Sequence, residues 1–329
     1  NMKATIKDVA HSAGVSTATV SHVFNNTRYV SSEIVDRVKK AADELGYIPN
    51  NLAKSLRSNE SKKIGLLVPN ISNYFSVDII SDINEVLSEK GYQVILGYSY
   101  ENVSTEKEQM DLFFQEQVDG VIMFPAPGDH SYLNGTKRRV PIVLIDRKAD
   151  GLEADCVTGN NEEAVYDAVS QMIKAGHKRI GILKGQSGIS NTEDRLRGYI
   201  RALKEHGLEI DSELIKEGES DAVIAYEETE RLIKDRTMTA LLICNGNMQI
   251  GVMKCLMEHQ IKVPEELALV GIGDNAWTEI TNPPLTVLRH PVDEMCHLAA
   301  ELLVGRIKNG GTDYKEYQLK MQMIKRKSF

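Results

Sequence analysis

Thr17, Ala18 and His22 stand one and five positions apart, and at the start of a helix that spacing puts them on one leading face. A threonine hydroxyl donates or accepts at a base edge, an alanine meets a thymine methyl, and an imidazole donates to guanine or phosphate. A second set of residues suits a small polar ligand. Arg147 and Arg195 each offer a fork of donors able to grip vicinal hydroxyls or a carboxylate, and Asp274 is an acceptor for paired hydroxyls. Plainer readings stand beside these: an ion pair for Arg195, helix N-capping for Asp274.

The elements that must hold the first set are legible around it. Ile6, Val9, Ala10 and Ala13 recur at helical spacing, Gly14 interrupts, and Val20, Val23 and Phe24 resume the period. Gly14 turns the chain without a Cβ penalty, and Ser16 is a good N-cap for a helix over 17–25. Two helices joined in this way form a helix-turn-helix, in which the second enters the major groove by its N-terminal end. Alone they would also suit a small helical bundle without a ligand. A polar loop over 25–31 follows, then Ser31 or Ser32 caps a third helix over 33–45, which Gly46 stops. In Tyr47-Ile-Pro49-Asn-Asn-Leu-Ala-Lys-Ser-Leu-Arg57, Leu52, Ala53 and Leu56 share one face of a segment too short to persist alone in water. With Lys54 and Arg57 beside that face, the segment needs a partner.

Charge is distributed to match. The chain of 329 residues carries a formal charge of −8, yet residues 1–63 hold ten Lys and Arg against six Asp and Glu, so +4 there leaves −12 for the rest. An acidic body confines non-specific attraction for DNA to the head. From Lys62 onward the pattern alternates strands and helices, with apolar runs at 64–68, 93–97, 120–124, 141–145, 180–183, 240–244 and 267–271. Lys62-Lys-Ile-Gly-Leu-Leu67 is echoed by Lys178-Arg-Ile-Gly-Ile-Leu183, so two doubly wound lobes are expected, with a ligand cleft at the carboxyl ends of their strands. Cys156, Cys244, Cys255 and Cys296 lie at no metal-binding spacing and read as buried fillers in a reducing cytoplasm. No secretory segment or spanning apolar run is read, so a cytoplasmic protein without a membrane partner is expected. Gly185-Gln-Ser-Gly188 and Gly271-Ile-Gly273 lack a nucleotide fingerprint, and no catalytic set falls together, so neither an enzyme nor a cofactor or metal site is expected. A stand-alone transport-binding protein would account for the lobes but not for the head.

The string Thr5-Ile-Lys-Asp-Val-Ala10, Val15-Ser-Thr17, Thr19-Val-Ser-His-Val23 and Tyr47-Ile-Pro49 resembles the head and hinge of the LacI/GalR family of bacterial repressors, especially its purine-repressor and catabolite-control branches. The resemblance extends over essentially the whole chain. It implies a small all-α helix-turn-helix head (1–48), a hinge helix and linker (49–61), and an α/β body (62–329) of two doubly wound lobes like the periplasmic binding proteins. Lobe 1 would span about 62–160 and 291–317, and lobe 2 about 161–290 and 318–329, with crossovers near Asn160, near His290 and close to Tyr317. DNA contacts would come from Thr5, Ser16, Thr17, Ala18, Thr19, Ser21, His22, Asn25, Arg28 and Tyr29 of the head, and from Asn50, Ala53, Lys54, Leu56 and Arg57 of the hinge. Paired leucines at position 56 of a homodimer would kink a pseudo-palindromic operator at a central CpG step.

The same resemblance implies an effector site. It places an aromatic, Tyr74 or Phe75, against a sugar or purine ring, and matches Asn245 to the asparagine of the family's Ala-Asn-Asp motif. Trp277, the single tryptophan, reads equally as a stacking platform or a loop anchor. Two departures remove negative charge near the cleft: Gly246 follows Asn245 where the family has aspartate, and Asn160 stands where many relatives have aspartate. The effector site is therefore expected to comprise Tyr74, Phe75, Arg147, Asn160, Arg195, Asn245, Asp274 and Trp277. The expected function is transcriptional repression controlled by a sugar or sugar derivative, with a purine or nucleoside effector, or a protein corepressor, as alternatives.

Overall fold

The computed structural model describes residues 4–25, 27–48, 60–134 and 140–329, and the chain divides into two compact units, residues 1–61 and 62–329. In the first unit, α1 (Ile6–Ala13) opens with the Asp8 carboxylate accepting from the Thr5 amide at 2.8 Å and the Thr5 hydroxyl at 2.7 Å. Gly14 closes it at φ 63°, the left-handed conformation that frees the chain to turn. Ser16 Oγ then accepts from Thr19 N at 3.1 Å and starts α2 (Thr17–Asn25). Helix α3 (Ser32–Leu45) ends at Gly46, φ 61°. The three helices bury Val9, Ala13, Val20, Val38 and Ala42 between them.

The second unit holds two six-stranded sheets. The first has the order β11-β5-β4-β3-β1-β2, from β1 (Lys63–Val68), β2 (Gln93–Tyr98), β3 (Gly120–Met123), β4 (Ile142–Ile145), β5 (Asp155–Gly159) and β11 (Glu316–Leu319). The second has the order β12-β10-β9-β8-β6-β7, from β6 (Ile180–Lys184), β7 (Ile215–Glu217), β8 (Ala240–Ile243), β9 (Ala268–Ile272), β10 (Thr286–Arg289) and β12 (Gln322–Ile324). Every pairing is parallel except β10 with β12. In β1 the alternation of side chains sends Ile64, Leu66 and Val68 into one core and Leu67 into the core on the opposite face, as expected of a strand covered on both sides.

Helices α4 (Tyr74–Glu89), α5 (Val103–Gln115) and α10 (Val292–Asn309) cover the first sheet, and α6 (Asn161–Lys174), α7 (Ser190–Glu205), α8 (Ala222–Leu232) and α9 (Gly246–Glu258) the second. Two of these contacts require glycine. A Cβ on Gly198 of α7 would lie 2.2 Å from Glu162 O on α6, and one on Gly251 of α9 would lie 2.0 Å from Ala222 O on α8.

The chain passes between the sheets three times: between β5 and α6 at Asn160, between β10 and α10 at His290, and between β11 and β12. The third passage falls at Lys320-Met321, later than the expected Tyr317, because residues 317–319 remain paired to Val157, Thr158 and Gly159. Five strands, β5, β7, β10, β11 and β12, were absent from the apolar runs of the sequence. They are short or carry polar side chains, and β11 and β12 have no fully buried residue.

Candidate functional site

The head presents the leading face of α2 to solvent. Thr17 and Ala18 are exposed, whereas Ser16 and Thr19 spend their hydroxyls on each other at 2.9 Å as the helix cap. His22 Nδ1 pairs with Thr27 Oγ1 at 2.8 Å, which fixes the ring. Asn25 Nδ2 donates to Ser21 O at 2.9 Å and Ser21 Oγ at 3.2 Å, tying those two side chains together. Thr5 is bound to Asp8; Arg28 and Tyr29 are exposed. Asn50, Ala53, Lys54, Leu56 and Arg57, with the whole of the expected hinge helix from Pro49, lie outside the described residues.

In the body a cavity of about 220 Å³ is walled by both sheets. Strand β1 lies between β2 and β3, and β6 between β7 and β8, so the loops leaving β1 and β3, or β6 and β8, diverge and open a crevice. The wall comes from those carboxyl ends: Asn70 and Asn73 after β1, Phe124 after β3, Asp146 and Arg147 after β4, Gly185 after β6, Asn245 after β8, and Gly273 and Asn275 after β9.

Two buried arginines face this space. Arg147 is gripped by Glu101 through bonds of 2.6 and 3.1 Å, with Asp146 at 3.6 Å from its Nε. Burial works against its charge, but Glu101 and then Asp146 raise its pKa above the ordinary value. Arg195 has only neutral direct partners. Its Nε donates to Asn161 Oδ1 at 2.7 Å, Nη1 to Cys244 O at 2.8 Å, and Nη2 meets His290 Nε2 at 3.3 Å. Burial lowers its pKa, with Asp146 opposing. Because a guanidinium can only donate, His290 Nε2 accepts and the imidazole proton sits on Nδ1, which has no hydrogen-bond partner among the described residues. Burial, then Arg195, takes the pKa of His290 down to about 3.

Asp146 joins the lobes. Its Oδ2 accepts from Asn191 Nδ2 of α7 at 2.7 Å, and nearby Lys148 N donates to Ser190 Oγ at 2.8 Å. Asp146 holds a φ of 71°, a left-handed conformation costing about 1–3 kcal/mol for a residue with a Cβ.

Of the eight expected effector residues, Phe75, Arg147, Arg195 and Asn245 line the cavity. Asn245 also caps α9, its Oδ1 accepting from Asn247 N at 2.8 Å. The other four are not on the wall. Tyr74 points outward, 46% exposed, because the helical turn that brings Phe75 in carries its neighbour away. Asn160 accepts from Met321 N at 2.7 Å and fastens two passages between lobes. Asp274 is occupied by Arg289, Arg326 and Thr278, leaving Gly273 and Asn275 on the wall. Burial would raise its pKa, but the bonds from Arg326, Arg289 and Thr278 lower it. Trp277 packs against the core of the second lobe, as a loop anchor does. Missed were Asp146, Asn161, Asn191, Asn275 and His290. One signal was available: Asn191 lies four residues before Arg195, on the same helical face.

Residues 5–50 match the family model of bacterial regulatory proteins, lacI family, and residues 169–329 that of the periplasmic binding protein-like domain. The HTH-type transcriptional repressor PurR of Photobacterium profundum is 31% identical over 329 residues, covering 99% of this chain and 98% of the relative. The chain belongs to the lacI family of bacterial regulatory proteins. PurR of Pasteurella multocida is likewise 31% identical over 328 residues, 99% of this chain and 98% of its own. Among solved structures, a transcriptional regulator CelR–cellobiose complex matches with a TM-score of 0.75 and 26% identity over 99% of this chain and 100% of that one. The lac repressor dimer bound to operator and the anti-inducer ONPF matches with a TM-score of 0.87 and 23% identity, over 99% of each chain, and shares the fold.

As a lacI-family member the chain is a DNA-binding regulator of transcription, with a helix-turn-helix head and a periplasmic-binding-protein-like body. Among the described residues no helix is long and apolar enough to cross a membrane, and no group of His, Cys, Asp and Glu is placed to hold a metal. The four cysteines are free and buried, and burial pushes the Cys244 thiol up to about 12, so it is inert.

Proposed function

We propose that this protein is a repressor that binds a pseudo-palindromic operator as a homodimer and changes its affinity when a small polar effector occupies the cavity between its lobes. The observation that carries this reading is the cavity itself. It lies at the switch points of both sheets, and Ser76, Asp146, Arg147 and Asn275 on its wall each hold a buried polar atom without a hydrogen-bond partner among the described residues. Such atoms are costly unless something bonds to them, about 1–3 kcal/mol each, and a ligand rich in hydroxyl groups would. A ligand touching both walls binds one lobe geometry more tightly than the other, and that difference is what can reach the operator.

A sugar or sugar derivative fits best, because Phe75 offers a ring face beside many side chains able to donate and accept hydrogen bonds. The CelR–cellobiose complex supports this choice. A purine or nucleoside is the second reading, favoured by the pair of rings on the wall, Phe75 and His290, packed with centroids 4.9 Å apart and able to offer a base a flat surface. The homodimer reading is supported by large apolar side chains left in solvent on the body: Val77 of α4, Ile250 and Met257 of α9, and Ile280. The test is a thermal-shift screen of the full chain against sugars, sugar acids, sugar phosphates, purines and nucleosides, followed by operator titration with each hit. A ligand that stabilises the body and changes operator affinity supports the reading. If nothing stabilises the body, control by a protein corepressor takes its place.

A further inference from the structure

The wall of the cavity carries four carboxylates, Glu101, Asp146, Glu219 and Asp221, and two guanidiniums, Arg147 and Arg195, and none of the four accepts a hydrogen bond from Arg195. Among the described residues, its unpartnered buried atoms include Arg147 Nε and Asn275 Nδ2, which are donors, Ser76 Oγ, which takes either role, and Asp146 Oδ1, an acceptor, while His290 Nδ1 is turned toward Gly159. Arg195 adds a buried cation whose hydrogen bonds all go to neutral groups, and two of its five N–H groups remain for a ligand.

The backbone adds a positive field. Helices α4, α7, α8 and α9 all begin at the cavity, so the positive ends of four helix dipoles converge there. Helices α4 and α9 have neutral caps, Asn73 and Asn245, and no acidic residue in the first turn. The carboxylates on the wall do not cancel this field. Glu101 is taken by Arg147, Asp146 is shared between Asn191 and Arg147, Asp221 caps α8, and Glu219 is exposed on the rim.

Resting on the effector reading above, we propose that the effector is an anion: a monosaccharide-sized polyhydroxy compound whose carboxylate or phosphate docks against Arg195 at the N-termini of α4 and α9. Its hydroxyls satisfy the remaining donors, and one of them donates to Asp146 Oδ1. A neutral sugar of the same shape leaves Arg195 with no hydrogen-bonded counter-charge, Asp146 acting on it only at a distance.

The test is calorimetry on the full-length protein with a panel of hexonates, hexuronates and hexose phosphates beside the neutral hexoses. Members of the acid set are expected to bind at least about tenfold tighter than their neutral counterparts, and to weaken as salt is raised. Raising the pH from 5 to 7 strengthens binding of a phosphate ester, whose second pKa is about 6, and leaves a carboxylate unchanged, which separates the two sources. Arg195→Gln should abolish the preference. Because Arg195 is buried and its loss can unfold the lobe, Asn245→Asp is the second variant: aspartate caps a helix as well as asparagine, so only charge changes. It should weaken the acids at least about tenfold more than it changes the affinity of any neutral ligand. Neutral hexoses or nucleobases binding as tightly as any acid, or Asn245→Asp without effect on acid binding, would overturn the anion and leave the effector site standing. If no class of compound binds while DNA is still bound, the effector reading falls with it.

Discussion

Replacing Asn191 by alanine tests how the two lobes are held together. Asp146 and Asn191 are 4% and 6% exposed, so no water replaces the 2.7 Å bond between them when the amide is removed. The other Asp146 oxygen has no hydrogen-bond partner among the described residues, and Arg147 Nε stands 3.6 Å from Oδ2, too far for a good hydrogen bond. A bond to a charged group contributes about 1.5–3 kcal/mol, and leaving the carboxylate buried and unmatched places Asn191→Ala in the middle of that range, near 2 kcal/mol. The Ser190–Lys148 bond survives, so the lobes remain tethered. Urea unfolding followed by the fluorescence of Trp277, the single tryptophan, reports the second lobe directly. A double-mutant cycle with Asp146→Ala cancels the backbone strain at position 146 and should give a coupling of about 1–2 kcal/mol. Coupling within about 0.3–0.5 kcal/mol of zero would show that the bond does not join the lobes in solution.

Other consequences are as direct. His22→Ala and Thr17→Ala should change the preferred half-site in selections from random duplexes, whereas Arg28→Ala should weaken all sequences alike; unchanged motifs for the first two would remove them from base readout. Leu56→Ala should cost several kcal/mol of operator affinity while effector binding persists, and an unbent operator with wild-type affinity in footprinting would end the wedge assignment. Gly198→Ala should lower stability by about 2–3 kcal/mol, read as a fall of several degrees in melting temperature, because α6 cannot recede from a Cβ 2.2 Å from Glu162 O. His290 is neutral in the fold with a pKa near 3, against 6.5 when unfolded, so its stabilising effect is complete above pH 6.5 and lost as pH falls toward 3. Stability should drop by up to about 1.4 kcal/mol per pH unit in that window, and His290→Gln, which keeps an acceptor for Arg195, should flatten the slope.

The head was legible because its signals are local. The Ala10–Gly14 turn, the Ser16 cap and the apolar period from Ile6 to Phe24 each act within a few residues, and the structure realises all of them. The doubly wound lobes were legible from their apolar runs, but the edges were not: β7 has three half-buried residues, and β11 and β12 pair with strands far away in sequence. The cavity was half legible. Arg195 and Asn245 announce themselves by type and by position after a strand, but whether a side chain is free depends on partners brought from elsewhere. Asp274 looked available until Arg326, 52 residues later, closed on it at 3.1 Å. His290 gave no sign at all, since its role arises where Arg195 and Phe75 meet it from elements remote in the chain.

The central claim is that occupancy of this cavity changes the grip of the head on DNA. It is tested most directly by selecting an operator from random duplexes and measuring its fluorescence anisotropy with the full-length protein, with and without a saturating effector from the thermal-shift screen. A shift in operator Kd of about tenfold or more, equivalent to a coupling near 1.4 kcal/mol and lost in Arg195→Gln while effector-free DNA binding persists, is the predicted result. An operator Kd that stays the same while the cavity is demonstrably filled would contradict it.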